Sequence, residues 1–115
     1  MVKYFINCFL ATKVSFSNEI YQICEESGLD FNKVVEYALY DQRIGKSHFS
    51  VPGPDGSFGF GGHCFPKDLN AIMYMAESCG VDPKVLKSVW DKNNEVRPQS
   101  QRDWEGMKGR AVSED

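Results

Sequence analysis

The chain has 115 residues, of which 42% are hydrophobic and 25% charged, and a formal net charge of −3. That length and balance describe one compact domain with a single core and exclude a second full domain. The acidic balance, without any Lys/Arg run, excludes nucleic acid from the expected partners.

The apolar stretch Met1 to Ala11 is interrupted by Lys3 and Asn7 and runs into Lys13. It lacks the plan of a signal peptide and is too short to span a bilayer. The expectation is a cytoplasmic protein away from membranes, whose four cysteines, Cys8, Cys24, Cys64 and Cys79, are reduced thiols.

In chain order, Val2 to Ser27 holds no Pro or Gly, and Phe5, Phe9, Leu10, Val14, Ile20, Ile23 and Cys24 recur at helical spacing. One long helix closed by Gly28 is expected. Its first half is apolar nearly all round, so it needs cover on more than one side. Asp30 caps a second helix to about Tyr40, with Phe31, Val34, Val35 and Ala38 on one face.

From Asp41 to Cys64 the chain reads as a loop, dense in Gly and Pro between Pro52 and Gly62. Pro66 suits the first position of a third helix, which carries Leu69, Ile72, Met73 and Ala76 and stops at Gly80. Asp82 and Pro83 start a fourth with Val85, Leu86, Val89 and Trp90, which fades into the polar stretch Asn93 to Gln101. Trp104, Met107, Ala111 and Val112 are the apolar residues of a tail read as loosely packed or docked on a neighbouring domain. The fold class is all-α, divided into a helical domain at residues 1–97 and a polar tail at 98–115.

Cys64 stands where the glycine-rich loop meets a helix, beside backbone N–H groups that stabilise negative charge. An arbitrary cysteine is usually a small buried hydrophobe, but this position favours a nucleophile. Gly61 and Gly62 permit close approach of a ligand to the backbone. Asp68, in the first turn of the same helix, reads on its own as a partner of free N–H groups.

Lys3 and Asn7 lie four apart and share a helix face, suggesting a polar pocket wall. Arg43, after the second helix, suits a surface ion pair or a phosphate clamp. His48 and His63 lack metal-ligand spacing, so no metal is expected. Gly59-Phe60-Gly61-Gly62 is not a dinucleotide fingerprint, so no nicotinamide site is expected in the chain.

The run Gly59-Phe60-Gly61-Gly62-His63-Cys64-Phe65-Pro66-Lys67-Asp68 resembles the active-cysteine segment of the UDP-glucose/GDP-mannose dehydrogenase family. Met1 to Asn7 and Asn18-Glu19-Ile20 resemble the start of that family's central helix, and Asp41 to Gly45 resembles its arginine-bearing turn. The three segments stand in family order and cover most of residues 1–97. The resemblance implies the all-helical central domain of such an enzyme, which joins a Rossmann domain holding NAD to a second α/β domain and forms the dimer.

It further implies oxidation of a nucleotide sugar's C6 alcohol to a carboxylate, with Cys64 as nucleophile through a thiohemiacetal and thioester. Lys3 and Asn7 match the pair that stabilises the reacting oxygen, and Asp68 matches the carboxylate that orients water. Arg43 matches an arginine that reaches substrate across the dimer interface, Gly61 the sugar loop, and Lys67 the approach to NAD. No roles attach to His48 or Phe49. The expected partners are a second copy joined through the first helix, a Rossmann domain in cis or in trans, and a nucleotide sugar. The alternative is a non-catalytic dimerisation or nucleotide-sugar-binding module that keeps the site as a relic.

Overall fold

A computed structural model describes residues 1–107 of the chain. Four helices follow in order: α1 (Val2–Ser27), α2 (Phe31–Ala38), α3 (Cys64–Ser78) and α4 (Lys84–Val96). Two short 3-10 turns, Gln99–Gln101 and Asp103–Met107, come after them. Among the described residues there is no strand, and no helix is long and apolar enough to cross a membrane.

Local chemistry explains these boundaries. Gly28 ends α1 at φ 69°, the left-handed conformation that a residue without Cβ takes at little cost. Asp30 then caps α2, its carboxylate accepting the N–H groups of Asn32 and Lys33. Two helix starts differ from expectation: α4 begins at Lys84 with Pro83 as N-cap, and α3 begins at Cys64 with His63 as N-cap, so Pro66 is its third residue. Pro66 fits there because the first N–H groups of a helix have no intrahelical acceptor.

α1 is the axis of the domain, with α3 and α4 packed along it and against each other, and α2 folded back on its C-terminal half. The main core joins Cys8 and Ala11 of α1 to Phe60, Leu69, Val89, Trp90 and Trp104. A smaller cluster of Cys24, Phe31 and Val51 seals the α1–α2 end. Small residues on α1 let the partner helices come close, and Ser15 donates its hydroxyl to the Val89 carbonyl at 2.8 Å.

The expectation of a loose tail is corrected for residues 98–107. Trp104 is fully buried, its ring centroid 5.2 Å from that of Trp90. Arg102 ties the segment back by donating to the carbonyls of Asn94 and Arg97. A lone Trp in a polar stretch looks unanchored in sequence, but α4 presents an apolar mate for it. Ala111 and Val112 lie outside the described residues.

Candidate active site

The loop between α2 and α3 returns the chain to the N-terminal end of α3, where Cys64 is the exposed first helical residue. Asp68 follows one turn later on the same side of the helix. Unlike Cys64, it is 1% exposed. A carboxylate so placed is sustainable only with partners, and the fold provides three. Asn7 Nδ2 donates to Asp68 Oδ2 at 2.6 Å, Lys3 Nζ lies 4.0 Å from the same oxygen, and Lys67 Nζ lies 3.7 Å from Oδ1.

Lys3, Asn7, Asp68 and Lys67 are thus gathered beside the turn that carries Cys64. Asp68 Oδ1 accepts no hydrogen bond from the protein, which leaves a directed acceptor in the cluster. Cys8, one residue after Asn7, is a different kind of thiol. Burial, followed by the Asp68 charge, pushes it up to about 11, so it stays protonated and inert at neutral pH.

The glycine-rich loop is suspended by side chains from three directions. Asn18 of α1 accepts the Gly59 N–H, and Asn93 of α4 holds Phe60 at both ends, accepting its N–H at 2.7 Å and donating to its carbonyl at 3.0 Å. Asp103 accepts the Gly62 N–H at 2.6 Å. Arg97, at the end of α4, adds a fourth side chain, 1% exposed. It donates to the carbonyls of Phe58 and Gln101 and pairs with Asp55 at 2.7 Å. Gly61 packs on this guanidinium so closely that a Cβ there would collide with it.

Gly61 and Gly62, with Ser47, His48, Phe65 and Val14, line a cleft of about 550 Å³ beside α3, a volume in the range of small-molecule sites. Asn93, Arg97 and Asp103 were not among the residues singled out from sequence. The signal for two of them was present, because Asn93 and Arg97 follow Val89 by four and eight residues and so share the face that Val89 and Trp90 mark as buried.

Arg43 is not part of this cluster. Its exposed side chain pairs with Asp41 at 2.6 Å, which holds the Asp41 carboxyl below the usual carboxylate range. It borders a separate apolar cavity of about 340 Å³ between α1 and α2, lined by Phe9, Phe16, Ile20, Val34 and Leu39.

The arrangement has close relatives. Residues 1–95 match the model of the UDP-glucose/GDP-mannose dehydrogenase family, central domain. UDP-glucose 6-dehydrogenase YwqF of Bacillus subtilis is 48% identical over 94 residues, 82% of this chain and 20% of the relative. UDP-glucose 6-dehydrogenase TuaD of the same organism is 42% identical over 97 residues, 84% of this chain and 20% of the relative. A UDP-glucose dehydrogenase from the archaeon Pyrobaculum islandicum superposes with a TM-score of 0.74 at 39% identity, over 82% of this chain and 21% of its own. The chain therefore belongs to the UDP-glucose/GDP-mannose dehydrogenase family and corresponds to its central domain. It spans about a fifth of the length of these relatives.

Proposed function

We propose that this chain supplies the catalytic-cysteine and dimerisation part of a nucleotide-sugar 6-dehydrogenase, acting on UDP-glucose or a related sugar. The observation that carries the reading is the junction of α1 and α3. Asn7 and Asp68 are bonded at 2.6 Å although 61 residues apart, with Lys3 and Lys67 flanking the carboxylate. Cys64 stands one helical turn before it.

In this scheme the Cys64 thiolate attacks the C6 aldehyde. A C–S bond forms, and the carbonyl electron pair moves to oxygen, giving a thiohemiacetal. Lys3 and the second Asn7 N–H, the first being held by Asp68, stabilise that oxygen. After oxidation to the thioester, Asp68 orients water, and hydrolysis releases the carboxylate and the thiol. NAD accepts the hydrides when bound by a Rossmann domain supplied in cis or in trans; the described residues offer it Lys67 and no nucleotide-binding sheet.

Two thiols are exposed, Cys64 and Cys79, and they make the test internal. Under native conditions at neutral pH iodoacetamide is expected to label Cys64 faster than Cys79, and the reverse order would remove the nucleophile assignment. Calorimetry with UDP-glucose is expected to show weak binding, reduced by Arg43→Ala without unfolding if Arg43 acts from a second copy. Tight binding of NAD alone would contradict the proposed division of labour. Turnover on mixing with the other domains of a relative distinguishes an enzyme piece from a module that retains a relic site.

A further inference from the structure

The family match ends at residue 95, yet the chain continues into the site it describes. Two side chains beyond that point converge on the loop before Cys64, and a third supports one of them. The Asp103 carboxylate accepts the Gly62 N–H at 2.6 Å. The Arg97 guanidinium backs Gly61 and reaches Phe58, Asp55 and Gln101. Trp104, fully buried, fixes the position of Asp103 beside it.

Asn18 and Asn93 hold Gly59 and Phe60 from α1 and α4, so the part of the loop that needs a further tie is its end next to Cys64. Gly59 and Gly62 both take positive φ, at 69° and 72°, and glycine has other backbone conformations of similar cost. A carboxylate bonded to the Gly62 N–H supplies the acceptor and negative charge that a helix start favours.

We propose that residues 97–104 form a strap that positions the glycine-rich loop for the Cys64 site, with Asp103 as the positioning residue that holds Gly62. The inference rests on the reading of Cys64 and its loop as the substrate site. Its structural half stands apart from that reading, since it concerns a single hydrogen bond and the loop's freedom. Asp103 is exposed and distant in sequence from the loop, so replacing it removes the tie without removing core packing.

The test uses the whole chain and two variants. In Asp103→Ala the Gly62 amide is expected to exchange with solvent about tenfold faster, because the protecting acceptor is gone. Asp103→Asn keeps a side-chain oxygen there and is expected to restore most of the protection. Affinity for UDP-glucose is expected to fall about threefold in Asp103→Ala and to recover in Asp103→Asn. Unchanged Gly62 exchange in Asp103→Ala, or an Asn variant as fast as the Ala variant, would overturn the strap. So would altered exchange with unaltered affinity. Failure of the unmodified chain to bind UDP-glucose counts instead against the proposed function, while the exchange comparison still decides whether Asp103 holds the loop.

Discussion

The two faces of α1 are opposites of what an isolated globular domain would show. Its buried residues are Cys8, Ala11, Ser15, Ser17, Asn18 and Cys24, all small or polar. Its exposed face carries Val2, Phe5, Ile6, Phe9, Phe16 and Ile23, each more than half exposed. The inner face works by closeness and hydrogen bonding: small side chains admit α3 and α4, while Asn7 and Asn18 reach groups of the site. The outer face has the composition of a core with nothing on it. The inner side therefore determines whether one copy folds and holds its site, while the outer side contributes little packing within the copy.

That division makes core changes the largest effects. Trp104→Ala empties a fully buried position against Trp90 and is expected to lower stability by about 3–5 kcal/mol in denaturant titration. A loss below about 1 kcal/mol would return residues 98–107 to the status of a tail and shrink the inner half of the comparison. Asn93→Ala follows, because it strips both the N–H and the carbonyl of Phe60 of their partner in a buried setting. At about 1–3 kcal/mol per unsatisfied group, the expected loss is a few kcal/mol.

The site's near half was legible in the sequence because its signals are local. Gly28 and Asp30 punctuate the helices, Lys3 and Asn7 interrupt an apolar surface at helical spacing, and the loop-to-helix junction marks Cys64. The far half was legible only as a buried face, on which Asn93 and Arg97 follow Val89 at helical spacing; what Arg97 and Asp103 hold was not, since they bond backbone groups of Phe58 and Gly62 that lie 39 and 41 residues upstream. Trp104 was missed for the same reason, its mate being a residue of another element.

The ion pair under the loop gives a smaller, pH-dependent effect. Arg97 holds the Asp55 carboxyl below its ordinary 3.8, mainly by hydrogen bonding. A depressed carboxyl contributes stability that is present above the unfolded value and is lost as pH falls through the folded value. The thermal midpoint is therefore expected to drop more steeply below about pH 3.8 in the unmodified chain than in Asp55→Asn. The Asp55 side chain is 47% exposed, so solvent screening limits the difference to about 1 kcal/mol or less. Equal acid slopes would show that Arg97 holds the loop through its carbonyl contacts alone.

The smallest effect on the fold is expected from the largest side chains. Phe5 and Phe9 are 72% and 57% exposed, so replacing both with Ser removes little packing within one copy. Such surface positions usually change protomer stability by about 0.5 kcal/mol or less. If the outer face joins a second copy, the consequence appears in mass rather than in fold. A helix of 26 residues offers an edge about 39 Å long, and each 100 Å² of apolar surface buried along it contributes about 2.5 kcal/mol. Light scattering over a dilution series is expected to give a dimer for the unmodified chain and a monomer for the double variant, with the fluorescence of the packed Trp90–Trp104 pair unchanged in both. A monodisperse monomer for the unmodified chain would remove the self-association reading and with it any role for Arg43 across an interface. A broad, concentration-dependent mass that the serines cure would instead indicate a face that packs on another domain. In either case the tryptophan signal tests the comparison, because a shift there would mean that the outer face helps to hold the inner one.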